Sequence, residues 1–124
     1  MTCAKHDRWV TSKPLNARAS YLVSTAKTRA KKQGVPFDLT MPWILEKLEA
    51  GMCEATGLPF DFPVRPGVAG RGSFVPSLDR IVPGAGYTCD NVQLVCWIYN
   101  AAKGIGTHEH VMRMAEALCG HQKK

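Results

Sequence analysis

None of the five cysteines (Cys3, Cys53, Cys89, Cys96, Cys119) pairs with another as C-x-x-C. That excludes a visible zinc knuckle and a dithiol redox motif. An odd number of unpaired spacings fits reduced thiols, and Cys96 and Cys119, set among apolar residues, read as small core residues. No apolar run approaches the ~18 residues of a membrane span, so membrane association is not expected. The opening residues MTCAKHDRWV hold no apolar stretch of secretory type, and a cytoplasmic location is expected. There is no internal repeat. There is also no long coiled-coil seam, so nothing in the pattern sets an oligomeric state.

What is present is a chain of 124 residues, 45% of them hydrophobic. That is ordinary for a globular protein, argues against disorder, and suffices for one modest core but not two. A single domain spanning 1–124 is expected. The net charge of +6 is unevenly spread. Residues 1–33 carry eight Lys/Arg against one Asp, and residues 34–63 carry one Lys against five acids. Residues 64–124 carry seven basic against four acidic residues. The basic excess is densest at Lys27, Arg29, Lys31 and Lys32. Such a cluster serves either as a solvated helix face or as a set of phosphate contacts.

Patterning gives an α+β class. Residues 15–33 read as a basic helix stopped by Gly34, with Tyr21, Leu22, Thr25 and Arg29 at helical spacing and Leu22 with its neighbours facing the core. Arg18, Lys27, Lys31 and Lys32 then fall toward solvent. Thr40 caps a second helix with Pro42 in its first turn and Gly51 closing it, and Trp43, Ile44, Leu45 and Leu48 supply its apolar stripe. Thr56–Phe60 reads as a tight turn, and residues 63–76, with three prolines and three glycines, as a loop. A helix over about Cys96–Lys103 follows a hairpin. Thr107 caps a last helix through Leu118, whose buried stripe is expected to be Val111, Met114 and Leu118.

The richest stretch is Ser77–Gly104, SLDRIVPGAGYTCDNVQLVCWIYNAAKG. It reads as strand, glycine-containing loop, strand and short helix, with polar residues at Asp79, Asn91, Asn100 and Lys103. An aspartate on a strand and an asparagine on a facing helix suit a metal ion gripping a phosphate. The residues Ser77-Leu78-Asp79-Arg80-Ile81, Gly86-Tyr87, Asn91-Val92, Asn100 and Lys103 resemble the HNH, or ββα-metal, endonucleases, in particular compact phage and mobile-element members. Cys53-Glu54-Ala55-Thr56-Gly57-Leu58-Pro59-Phe60 is a weaker upstream match. The resemblance covers roughly Cys53–Gly104. It implies a ββα unit over 53–104, flanked by a basic helical part (1–52) and a C-terminal helix and tail (105–124).

The resemblance also implies the chemistry. Asp79 and Asn100 would be the metal pair, with asparagine where many relatives have histidine, and the ion would be Mg2+ or Mn2+, which two oxygen ligands plus phosphate oxygens and waters can hold. A hard cation stabilises the charge on phosphorus and the leaving oxygen. Asn91 would brace the loop through hydrogen bonds to backbone. Lys103, three residues after Asn100 and on the same helical face, would neutralise the phosphate. Tyr87 would pack over the hairpin. DNA, duplex or branched, would be the partner, with Lys27, Arg29, Lys31, Lys32, Arg80 and Lys103 as phosphate contacts. Zinc is not expected, and Cys53 would be its least unsuitable ligand.

Arg80 departs from the family, which usually has a histidine there to activate water. Arginine stays protonated and cannot be that base. It can clamp a phosphate or offset developing negative charge. Strand alternation places Asp79 and Arg80 on opposite faces unless the strand bends or ends there. Three options stay open: metal-activated water with no protein base, a base from His6, His108 or His110, or a catalytically inactive scaffold that binds nucleic acid or protein. Arg65 and Arg71 are further loop arginines available to DNA. In a pure protein-interaction reading, Glu46, Glu49, Glu54 and Asp61 would form the interface. High sequence specificity would need a homodimer or another partner.

Overall fold

Ala19, Leu22, Ala26 and Ala30 recur at intervals of three and four and are all buried. They give the first helix, α1 (Lys13–Gln33), a narrow inner stripe. Three alanines in that stripe let neighbouring backbone approach closely. In the computed structural model, which describes residues 13–62 and 72–121, α1 ends at Gly34, whose φ of +69° suits glycine alone. Lys27, Lys31 and Lys32 are exposed, the last two in the final turn where the helix dipole favours cations. Tyr21 is not part of the buried stripe: it is 64% exposed. The expectations for Cys3, His6, Arg65 and Arg71 lie outside the described residues.

The second helix, α2 (Met41–Ala50), starts where the Thr40 hydroxyl accepts from the Trp43 N–H. It ends at left-handed Gly51, whose N–H donates to the Lys47 carbonyl. Ile44 and Leu48 are its buried residues, while Trp43 and Leu45 are half-buried. The turn after it is tied to the sheet by Glu54. Its N–H donates to the Leu94 carbonyl at 2.9 Å, and its Oε1 accepts from the Leu94 N–H at 2.6 Å. A residue read from sequence as acidic surface is therefore an anchor, held also by Lys47 at 2.6 Å.

The sheet has two antiparallel strands, β1 (Pro76–Arg80) and β2 (Val92–Cys96), in a register that sets Asp79 opposite Gln93 and Arg80 opposite Val92. A third helix, α3 (Trp97–Lys103), follows β2 with no linker. Its first turn has no side-chain cap; instead the Trp97 and Ile98 N–H groups donate to the Val75 and Ser73 carbonyls, which satisfies donors that would otherwise be orphaned. The last helix, α4 (His108–Gly120), is capped by Thr107. Among the described residues the fold is thus α+β, with four helices and one two-stranded sheet. No helix there is long and apolar enough to cross a membrane.

The core has two parts joined by α1. One gathers Ile44, Leu48, Cys53, Phe60, Leu94, Val95, Cys96 and Tyr99 around Ala19 and Leu22. The other gathers Leu39, Tyr87 and Val92 around Ala26 and Ala30. Two expectations fail at the C-terminal end. Helix α4 buries none of its residues: Val111 is half-buried against the core, but Met114 is 47% and Leu118 68% exposed. Cys119, expected in the core, is also exposed. The physical reason is that α4 is held at its start, by the His108–Tyr99 hydrogen bond and by Val111 against the core, while its later apolar positions are exposed, so helical spacing of apolar residues finds no partner surface there.

Candidate active site

Strand β1 stops at Arg80, and that ending decides the geometry. Adjacent residues of a continuing strand would face opposite ways. Here Asp79 and Arg80 both line one cleft of about 190 Å³, together with Arg29 from α1, Asn100 from α3, and Tyr87 and Pro83 from the hairpin loop. Two elements, β1 and α3, thus bring Asp79, Arg80 and Asn100 to one place, with Arg29 of α1 and the hairpin loop beside them. Of the basic cluster on α1, only Arg29 lines it.

Asp79 is 3% exposed and engaged through both oxygens. Its Oδ1 is 3.0 Å from the Lys103 ammonium, and its Oδ2 accepts from Gln93 Nε2 at 2.9 Å. The Gln93 contact follows from the cross-strand register. Lys103, expected to reach a phosphate or solvent, points inward. It is 4% exposed and also donates to the Arg80 carbonyl at 2.8 Å. The lysine therefore ties α3 to the end of β1 and neutralises Asp79 from within.

The Asn100 amide nitrogen donates to Ser77 Oγ and to the Leu78 carbonyl, both at 2.8 Å. With the nitrogen committed to these two acceptors, Oδ1 is the amide atom whose hydrogen-bonding capacity they leave unused. Arg80 donates through Nη1 to Gln33 Oε1 at 3.0 Å and to the Ala85 carbonyl at 2.8 Å. Its guanidinium carbon stands 4.4 Å from the Tyr87 ring centroid, a cation–π contact. Both bonds use Nη1, so Nε and Nη2 keep donors for an anion. Tyr87 is buried under this stack.

The loop between the strands is held by Asn91, whose Oδ1 accepts from the Val82 N–H at 2.9 Å. Its Nδ2 donates to the Val82 and Gly86 carbonyls at 3.1 and 2.8 Å. Gly86 has a separate steric cause. A Cβ there would lie 2.6 Å from the Pro36 carbonyl oxygen, because Tyr87 N–H donates to that oxygen at 2.9 Å and docks the loop on the segment after α1.

Of the histidines considered as bases, His6 lies outside the described residues, and His108 and His110 do not line this cleft. The Nδ1 of His108 shares a 2.8 Å hydrogen bond with the Tyr99 hydroxyl. His110 closes a reciprocal capping box, its Nδ1 accepting from the Thr107 N–H at 3.1 Å. Tyr99 is buried, and burial, with the negative charge of Asp79 second, pushes its phenol above its ordinary range. Cys53 and Cys96 are neighbours in the core. Burial by itself would raise the Cys53 thiol, but hydrogen bonds from the Thr56 side chain and from the amides of Cys96, Ala55 and Thr56 outweigh it and hold the thiol below its ordinary value.

Sequence reasoning missed Gln93, which strand register alone could have placed opposite Asp79. It also missed a second, larger cleft of about 350 Å³ beside the first, lined by Arg18, Tyr21, Arg29, Ser77, Trp97 and Asn100 among others. The interval of four between Tyr21 and Thr25, and again to Arg29, was its only sequence signal.

Asp79 and Asn100 both line the smaller cleft and carry hard oxygen atoms of the kind Mg2+ or Mn2+ takes, but both Asp79 oxygens are already engaged, by Lys103 and Gln93, so only their remaining lone pairs are open to a cation. Among the described residues no three His, Cys, Asp or Glu side chains cluster as ligands. The chain matches no protein-family model, no curated protein and no solved structure.

Proposed function

We propose that this chain is a small metal-dependent endonuclease of the HNH type, with β1, β2 and α3 as its ββα unit and DNA as its substrate. The observation that carries the reading is the convergence of Asp79, Arg80, Asn100 and Arg29 on one cleft. An anionic ligand, an amide oxygen and two guanidinium groups fit a cation and a phosphodiester side by side. When bound, the cation would supply Lewis-acid stabilisation of charge on the phosphoryl group and leaving oxygen. Asp79 and Asn100 would hold it. Arg29 and the unengaged nitrogens of Arg80 would orient the phosphate. Lys103 holds Asp79 in place and is a positioning residue rather than a phosphate ligand.

One observation favours a second reading, a binding module without catalysis. Asp79 already has a cationic partner in Lys103, and among the described residues no histidine lines the cleft. Nicking of supercoiled plasmid with Mg2+, Mn2+ or chelator separates the two. The informative variant is Asn100→Ala, because Asp79→Ala and Asp79→Asn would each leave the Lys103 charge without its counter-charge in the interior. Metal-dependent nicking that Asn100→Ala loses, with a cooperative melting transition retained, is the expected result. Salt-sensitive DNA binding with no nicking by the wild type would establish the binding module instead.

A further inference from the structure

The 350 Å³ cleft adjoins the smaller one and shares Arg29, Leu78, Tyr87 and Asn100 with it. Its volume is at the lower end of the roughly 300–1,000 Å³ found for small-ligand sites, large enough for about one nucleotide. Two aromatic rings on its walls are left open: Tyr21 on α1 is 64% exposed and Trp97 at the start of α3 is 48% exposed. Arg18 and Arg29 lie on the Tyr21 side. Tyr21 lies off the buried stripe of α1, which is Ala19, Leu22, Ala26 and Ala30, and Trp97 belongs to neither core cluster.

We infer that this cleft takes an unpaired nucleobase next to the scissile phosphate, so that the substrate is DNA with a single-stranded segment rather than a continuous duplex. The inference rests on the nuclease reading for the word scissile, but the binding it describes does not. Stacking on exposed aromatics tolerates any base, because every base has a π-face. Arginines beside the rings follow the backbone of the same strand. A stacked, fully paired duplex keeps its bases out of reach of such a cleft. The shared residues Arg29 and Asn100 would set the base one step from the phosphate held in the smaller cleft.

The test is fluorescence anisotropy in chelator, where nothing is cut, using a short labelled duplex and the same duplex carrying a single-stranded flap. Wild type should bind the flap substrate more tightly. Tyr21→Ala and Trp97→Ala should each weaken flap binding at least about five-fold while changing duplex binding little. Tyr21→Phe should keep the preference. Arg18→Gln should weaken both substrates and flatten the salt dependence. Equal wild-type affinity for the two substrates, or a preference that survives both alanine variants, overturns the inference. An aromatic-dependent preference in a protein that never nicks plasmid would uphold the cleft and remove the nuclease; nicking without any preference would do the reverse.

Discussion

Removing the Lys103 charge should be among the most damaging single changes this fold can suffer. The ammonium and the Asp79 carboxylate are 3.0 Å apart, with side chains 2% and 3% exposed. At an effective dielectric near 20, two charges at that separation attract by about 5 kcal/mol, and most of that offsets their desolvation. The pair is therefore close to neutral as a whole, while either half alone is costly. In Lys103→Met the stem is replaced at similar volume, but Asp79 keeps only Gln93, and the Arg80 carbonyl loses its donor. The expected loss is about 3–5 kcal/mol, a large part of the ~5–15 kcal/mol that holds a domain of this kind. At about 4 °C per kcal/mol, the melting temperature should fall by about 12–20 °C. The double variant Lys103→Met/Asp79→Leu should recover most of the loss, since no charge is then stranded. Chemical denaturation of wild type, both single variants and the double variant measures all four corners of the cycle. A Lys103→Met loss below about 1 kcal/mol, or a double variant as unstable as the sum of the singles, would refute the interior pair.

Other outcomes follow from the loop and its surroundings. Gly86→Ala should cost about 1–3 kcal/mol, because the new methyl meets the Pro36 carbonyl and one segment must retreat; a thermal melt equal to wild type would contradict that close approach. Asn91→Ala should cost about 1–3 kcal/mol for the Val82 and Gly86 groups it leaves unpaired, with amide exchange speeding up first over residues 82–86. Cys89 is exposed, yet burial of its sulfur and then the nearby Asp38 carboxylate push its thiol above the ordinary value. A raised value means less thiolate at any given pH, so its alkylation rate should reach its midpoint at higher pH than that of an unstructured cysteine peptide. Asp38→Asn should bring the midpoint back down, and a midpoint unaffected by it would count against that carboxylate.

Much of this fold was legible because its signals are local. Gly34, Gly51, Thr40 and Thr107 end or begin helices by conformational preference and side-chain capping, which need no distant partner. The bracing role of Asn91 followed from a resemblance, and the geometry gives it three backbone bonds. What stayed hidden depends on tertiary placement. A lysine three residues from Asn100 reads as a phosphate contact or a solvated side chain, because lysine is almost never buried unless paired, and the partner that draws Lys103 inward lies on a strand 24 residues earlier. Glu54 reads as acidic surface until the Leu94 amide is placed beside it. The apolar spacing of Val111, Met114 and Leu118 is real, but helical period says which face is apolar, not whether anything covers it. Tyr21 and Trp97 come to line one cleft only after α1 and α3 have packed on the hairpin.

The claim on which the account depends is that Asp79 and Asn100 hold a divalent cation in the small cleft. Titration of Mn2+ into isotopically labelled protein, followed by amide line broadening, tests it without requiring either tight binding or turnover. Broadening should begin at Asp79, Arg80, Asn100 and Gly104 and disappear in Asn100→Ala while the fold is retained. Broadening centred on the exposed acids Glu46 and Glu49, or unchanged in Asn100→Ala, would contradict it.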